Sequence, residues 1–336
     1  MQKNALKDSI AFENLSAAAH LRRGNRVQVK PDHRQSFYRT PRGLNLSFRI
    51  WNSAAAPHVL LVHGFGDNSL VWHHFASTLD NSCCLLAVDL QGHGYSEWNS
   101  TRTYAIPDFV TDLKNVLEDL CPAPVVLIGH SLGGQVAIHA AAAYPERIRA
   151  VVLVDVALKV NELSGGYVRR KFRERCRVYE NVADYIALLR GQLPLARQEL
   201  LEVLAEGALR VNDEGRYEER CDPMLVNMDD SIDTRLIPSL KQIARPILFV
   251  RGAGSAVLSR ATVRELLTEL PQSRMSVVPT AGHAVMLDNP EGFCAGVKPY
   301  VLKFSGLFCE SEAGLSSNPV GGVRGLQEAS NQRKRS

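Results

Sequence analysis

Between Gln35 and Phe304 the chain alternates short apolar runs, rich in Val, Ile and Leu, with longer stretches whose apolar positions recur at helical spacing. The runs SFYRT and LNLSFRIW flank the turn residues PRG and predict a hairpin. HVLLVH (58–63), CCLLAVD (83–89), PVVLIGH (124–130), IRAVVLVD (148–155), PILFV (246–250) and RMSVV (274–278) bring the count to eight strands. Helices fall between them, near 69–79, 104–119, 132–144, 259–270 and 290–304. The central strands are apolar at almost every position, as strands buried on both faces must be. The pattern predicts an α/β protein: an eight-stranded, mostly parallel sheet with helices on both faces.

One interval is too long for a simple crossover, since about ninety residues separate Asp155 from Pro246. Its amphipathic stretches SGGYVRRKFRERCRVYENV, ADYIALLRGQL and ARQELLEVLAEGALR predict an inserted helical lid over residues 156–241, at the sheet edge where α/β proteins bind ligands. The core is then expected over 35–155 and 242–304, with a basic N-terminal extension at 1–34 and a disordered, Gly/Ser-rich tail at 305–336.

Charge narrows the partners. The formal net charge is +4, and the first 34 residues hold seven Lys or Arg against three acids, which accounts for all of it. A near-neutral body lacks the basic face that nucleic acid requires, so no nucleic-acid partner is expected. No apolar stretch approaches the roughly 18 residues of a membrane span, and the N-terminus has no continuous apolar segment. A cytoplasmic enzyme acting on a small molecule is expected, without a membrane partner. The seven cysteines include the adjacent apolar pair Cys83 and Cys84 and no C-x-x-C spacing, so free buried thiols are expected, and neither a disulfide framework nor a metal site.

The chemistry gathers at strand ends. Gly129-His130-Ser131-Leu132-Gly133 is a G-x-S-x-G after an apolar strand and before an Ala-rich helix, the context in which such a serine is a strained, exposed nucleophile. The helix N-terminus would aim the Leu132 amide at a developing oxyanion, and the loop after His63-Gly64 would add the amide of Phe65. His63 itself reads as a loop-ordering side chain. His283, in AGHAVMLDNPEGF, follows the last strand by a Gly-flanked loop and comes 152 residues after Ser131, where the order Ser, acid, His requires the base. Trp72 and Gly64 are the candidate lining of an apolar substrate pocket.

Together HGFGDNSLVW, VDLQGHGYS, GHSLGG, RAVVLVD and AGHAVMLDNPEGF resemble the α/β-hydrolase superfamily over about residues 36–304, and specifically its lid-bearing members: esterases, carbon–carbon bond hydrolases, cofactor-free haloperoxidases, epoxide hydrolases and haloalkane dehalogenases. A serine at 131 removes the last two, which resemble this chain but need an aspartate nucleophile. The resemblance implies an acid after the seventh strand, yet the matching stretch VRGAGSAVLS carries Ala256 at that position, and Gly254 is no substitute. The candidate replacement is Asp155, which ends the sixth strand 24 residues after Ser131. Asp229, Asp230 or Asp233 from the return of the insertion are alternatives, and so is a site with no acid. Asp288 lies too close to His283 in sequence to reach its far nitrogen.

The expected function is a serine hydrolase, with Ser131, His283 and Asp155 catalytic and Phe65 and Leu132 forming the oxyanion hole. Its substrate would be an ester, thioester or activated carbon–carbon bond of a moderately apolar molecule, with no cofactor or metal. The alternative is a non-hydrolytic catalyst or a ligand-binding protein on the same scaffold, motivated by Ala256. The run RRKFRERCR (169–177) holds six basic residues and one acid. It reads as a solvated helix face, or else as a recruiter of an acidic or carrier-bound acyl substrate.

Overall fold

The computed structural model describes residues 33–53, 56–79, 83–158, 162–228 and 235–307. The expected extension up to residue 32, the tail from residue 308, and Asp229, Asp230 and Asp233 lie outside the described residues. In chain order the core runs β1 (His33–Arg39), β2 (Asn45–Trp51), β3 (Val59–Val62), α1 (His73–Ser77), β4 (Leu85–Val88), α2 (Ile106–Asp119), β5 (Val125–His130), α3 (Leu132–Ala143) and β6 (Ile148–Val154). The insertion follows with α4 (Glu162–Arg175), β7 (Val178–Tyr179), α5 (Val182–Gln192), α6 (Gln198–Ala208), β8 (Leu209–Val211), β9 (Tyr217–Glu219) and α7 (Leu236–Gln242). The core resumes with β10 (Ile247–Gly252), α8 (Arg260–Glu269), β11 (Ser273–Val278), α9 (Val285–Asp288) and α10 (Pro290–Phe304). His33 and Arg34 belong to the first strand rather than to the extension expected there.

Eight strands form one sheet in the order β1-β2-β4-β3-β5-β6-β10-β11. Only the β1–β2 and β2–β4 pairings are antiparallel, so β2 alone runs against the rest. The expected hairpin is β1–β2, closed where Gly43 takes φ 83° and donates to Thr40. Alternate residues of each central strand enter different cores. Leu60, Val62, Leu127 and Phe249 face the side of α2, α3 and α8, whereas Leu61, Ile128 and Val250 face the side of α1 and α10. Both faces are thus covered, which accounts for the unbroken apolar runs.

Three local features escape the periodicity. The helix expected over 69–79 opens as a 3-10 turn, Ser69–Trp72, because Asn68 accepts from the Leu70 amide and tightens the first turn. The four-residue α9 is too short to carry a helical period. In the insertion, β7, β9 and β8 form a small antiparallel sheet from strands of two or three residues, below the length at which alternation is visible.

The insertion packs onto the second core through Tyr185, Leu200, Leu201 and Leu204. Its return is tied down by Asp222, which is fully buried. That carboxylate accepts from Tyr104 Oη at 2.6 Å, from the Met224 amide at 2.9 Å and from the Arg102 guanidinium, whose Nε lies 3.0 Å from Oδ2. Among the described residues no helix is long and apolar enough to cross a membrane, and no two cysteines are joined in a disulfide. Replacing Asp222 by Ala strands the Tyr104 hydroxyl and removes the cap of the following turn. We expect a loss of about 2 to 3 kcal/mol, allowing for the exposure of Arg102, in urea denaturation. A change below the scatter of the measurement would show that Asp222 does not hold the return of the insertion.

Candidate active site

The parallel order of β5, β6, β10 and β11 collects their carboxyl ends at one edge of the sheet, and the candidate residues sit there. Ser131 occupies the sharp turn between β5 and α3, with φ 50° and ψ −115°, a conformation costly for any residue with a side chain. Its N–H is fixed to the Val154 carbonyl of β6 at 3.0 Å. The turn is possible because its flanks are bare. A Cβ on Gly129 would lie 2.3 Å from the Gly133 carbonyl oxygen, and one on Gly133 would lie 2.4 Å from the carbonyl oxygens of Val62 and His63. Any larger residue at either place would force β5, β3 and α3 apart.

His283 leaves the loop after β11 and approaches Ser131 Oγ through Nε2 at 3.1 Å. Its Nδ1 lies 2.7 Å from Asp155 Oδ2. A carboxylate oxygen only accepts, so Nδ1 carries the proton and Nε2 presents a lone pair to the serine hydroxyl. Asp155 stands directly after β6, fully buried, with φ 47°. This left-handed backbone is one that aspartate tolerates better than most residues. Its N–H donates to Val250 of β10 at 2.8 Å, so the acid is anchored to the neighbouring strand. Asp288 does something else: its Oδ2 accepts from the Gly282 amide at 2.8 Å and so fixes the His283 loop from beneath.

His130 backs the site. Its ring centroid is 4.8 Å from that of His283, and its Nε2 donates to the His283 carbonyl oxygen at 3.0 Å. Burial, with a contribution from the nearby His283, pushes His130 down to about 4, so it is neutral and its 3.8 Å approach to Asp67 is not an ion pair. His63 orders loops, as expected: its Nδ1 donates to Gly64 O at 2.8 Å and its Nε2 accepts from the Leu90 amide at 3.0 Å.

The two pocket candidates are both buried. Trp72 has no exposed surface and tilts against Phe293 in the core, so it lines no open space in this conformation. Gly64 is buried, and a Cβ there would point at His130 Nδ1, 2.7 Å away. Phe65 is half-buried, and its ring meets Phe172 of α4 edge to face at 5.0 Å. Leu132 opens α3 and is buried. Among the described residues neither the Phe65 nor the Leu132 N–H meets a protein acceptor.

The basic run on α4 is largely engaged by the protein itself. Arg175, which sequence reasoning did not single out, donates to the Gly66 carbonyl oxygen at 2.8 Å and faces Glu219 at 3.4 Å. Glu219 also accepts from Tyr185 Oη at 2.6 Å. Lys171 donates to Gln192 O at 2.6 Å, and Arg169 donates to the carbonyls of Val226 and Met228. Arg170 and Arg173 are exposed. Also missed was Ser255, beside Ala256, whose hydroxyl reaches Asp155; no period or motif marks it.

Residues 59–296 match the model of the alpha/beta hydrolase family, and the chain belongs to that family. It is therefore a hydrolase-fold enzyme, as expected. The chain is 26% identical over 246 residues to 2-(acetamidomethylene)succinate hydrolase of Mesorhizobium japonicum, covering 73% of this chain and 88% of that one. It is 30% identical over 247 residues to an esterase of Mycobacterium tuberculosis, covering 70% and 80% respectively. Among solved structures, E-2-(acetamidomethylene)succinate hydrolase superposes with a TM-score of 0.72 at 24% identity, covering 80% of this chain and 99% of that one.

The histidines around the site set an acid limit on stability. His63, His93 and His130 are buried; burial lowers all three, His93 to about 3 and His130 to about 4. Between the ordinary value of 6.5 and about 4 these rings bind more protons in the unfolded chain than in the folded one, so their contribution to stability falls as pH falls through that window. Urea denaturation should show a loss of at least about 2 kcal/mol between about pH 7 and pH 5. Equal stability at the two values would mean that these rings are hydrated and charged in the native state.

Proposed function

We propose that the protein is a serine hydrolase that works through an acyl-enzyme on an ester, thioester or activated carbon–carbon bond of a moderately apolar small molecule. The observation that carries this reading is the continuous hydrogen-bonded chain Ser131–His283–Asp155. Ser131 Oγ attacks the carbonyl carbon as His283 Nε2 takes its proton, and the oxyanion is held by the amides of Phe65 and Leu132. Collapse of the tetrahedral adduct expels the leaving group, which receives the proton from His283 and leaves Ser131 acylated. Water then gives a proton to His283, attacks the acyl carbon, and releases the acid as the proton returns to Ser131. Asp155 keeps the Nδ1 proton in place and offsets the imidazolium charge in both halves.

The names of the relatives fit hydrolysis, and they include a pimeloyl-[acyl-carrier protein] methyl ester esterase of Aeromonas hydrophila, 25% identical over 268 residues. The ground for a non-hydrolytic or purely binding protein was the missing acid at 256, and the contact of His283 with Asp155 weakens it. The insertion acts as a lid in this reading: Phe172 and Arg175 lie against the loop of Phe65 and Gly66, so movement of α4 would unsettle one oxyanion donor. The cytoplasm, a reducing compartment, is the location this reading assigns, and the thiols of the described residues are in keeping with it.

Intact-protein mass after a fluorophosphonate tests the mechanism. The native sequence should take one label at Ser131 and Ser131→Ala none, while Asp155→Asn should slow labelling by about ten-thousand-fold. Unimpaired labelling of Asp155→Asn would move the acid elsewhere. An acidic or carrier-bound substrate is the second reading, favoured by exposed Arg170 and Arg173 on α4. Arg169 is unsuitable for its test because it holds the insertion together. Reversing Arg170 and Arg173 to Glu should raise KM about ten-fold for a carboxylate-bearing ester and leave a neutral one unchanged. An equal rise for both would sink this second reading.

A further inference from the structure

We propose that Ser255 is a positioning residue for Asp155, its hydroxyl fixing the carboxylate oxygen that receives the His283 proton. The role rests on the hydrolase reading above and deepens it. Asp155 Oδ2 takes two donors, His283 Nδ1 at 2.7 Å and Ser255 Oγ at 2.5 Å. The other oxygen, Oδ1, is buried and meets no donor among the described residues. A fully buried carboxylate therefore relies on these two side-chain groups, one of which must remain mobile enough to serve the serine. Ser255 is the fixed one.

The direction of the Ser255 proton follows from its second partner. Its Oγ accepts from the Val257 amide at 3.0 Å, which leaves the single hydroxyl proton for Asp155. The loop itself is braced from inside. Arg251, buried at the end of β10, reaches the carbonyl oxygens of Leu258 at 2.9 Å and Ser255 at 2.8 Å, and the Ser255 amide donates to Gly252 at 3.0 Å. This is the loop in which Ala256 stands where relatives are expected to carry the acid. The segment without the carboxylate thus supplies a donor to the carboxylate that replaces it.

Ser255 acts on His283 through the oxygen they share. With both donors present, the charge on Oδ2 is divided between the hydroxyl and the imidazole. Removing the hydroxyl makes Oδ2 a stronger acceptor for the Nδ1 proton, which shortens that bond and stabilises the protonated ring. The other ionisable groups facing the pair stay in place: His130 at the end of β5, Asp67 after β3, Asp288 on α9 with Lys171 of α4 in its field, and Arg251 on β10.

Two readouts test this on the full chain, with Ser255→Ala and Ser255→Thr beside the native protein. In the proton NMR spectrum the His283 Nδ1–H resonance, assigned by its loss in His283→Gln, should move downfield in Ser255→Ala and stay near its native position in Ser255→Thr. In fluorophosphonate labelling of Ser131, the acid limb of the rate against pH should move up by about one unit in Ser255→Ala, about five-fold slower at the native midpoint. An unmoved resonance overturns the assignment whether or not Ser131 is reactive. So does a rate lowered by one factor at every pH, which marks a merely structural role, or a shift produced equally by Ser255→Thr. Failure of the native protein to label, with the resonance shifted as stated, would overturn the hydrolase reading and leave Ser255 in its role.

Discussion

The hydrogen bond between His283 and Asp155 is the contact on which the site depends, and it exists only because strands from distant parts of the chain end side by side. Ser131 follows β5, Asp155 follows β6 and His283 follows β11, with 128 residues between the last two. In a parallel sheet all of these ends lie on one edge; reversing β6 or β11 would carry its residue to the other edge, some 20 Å away for a strand of six. Backbone bonds then set the alignment within that edge. The Ser131 amide is held by β6 and the Asp155 amide by β10, so the serine and the acid are each anchored to the strand next door. The strain stored at two left-handed residues, Ser131 and Asp155, is held by those anchors.

The eight strands, the long core helices α2, α3, α8 and α10 and the helical nature of the insertion were legible from their apolar runs and helical spacing. Ser131 and His283 could be singled out as candidates for a different reason: a tight turn and a Gly-flanked loop leave sequence marks around them. Asp155 was a choice among alternatives, since nothing local distinguishes an aspartate that reaches a histidine from one that merely ends a strand. That distinction lies in the spacing of β6 and the loop after β11, which no local pattern encodes. Trp72 misled because a tryptophan next to a candidate oxyanion loop fits a pocket as well as a core. Which it joins is decided by Phe293 on α10, more than two hundred residues away.

The basic run of α4 shows why counting charges says little about a partner. Six cations within nine residues suggest a face for acidic ligands, yet Arg169, Lys171 and Arg175 terminate on backbone carbonyl oxygens of three separate segments. Long side chains with several donors suit an insertion whose short strands and turns leave carbonyls unpaired. Arg175 bears most closely on the proposed site, because the carbonyl it holds follows Phe65, and a Cβ on Gly66 would lie 2.4 Å from its guanidinium. In the proposed mechanism the insertion is thereby coupled to the loop that supplies one oxyanion donor. An electrostatic resource of the sequence has become a mechanical one.

Placing the acid after β6 instead of after β10 asks little of the fold. The two strands are direct neighbours, paired in register from Ile247 and Val151 to Val250 and Val154. Their ends are one strand spacing apart, roughly 4.8 Å, a distance that an aspartate side chain on a left-handed residue can recover. What the exchange does require is that the vacated loop give up bulk and offer a donor, since a carboxylate that is fully buried and carries an orphaned Oδ1 cannot be left to the imidazole alone. Gly254, Ser255 and Ala256 meet both conditions in three consecutive residues. Read in isolation, VRGAGSAVLS is a catalytic motif with its acid deleted. Next to β6, in the proposed mechanism, it is the other half of a site whose acid stands one strand along.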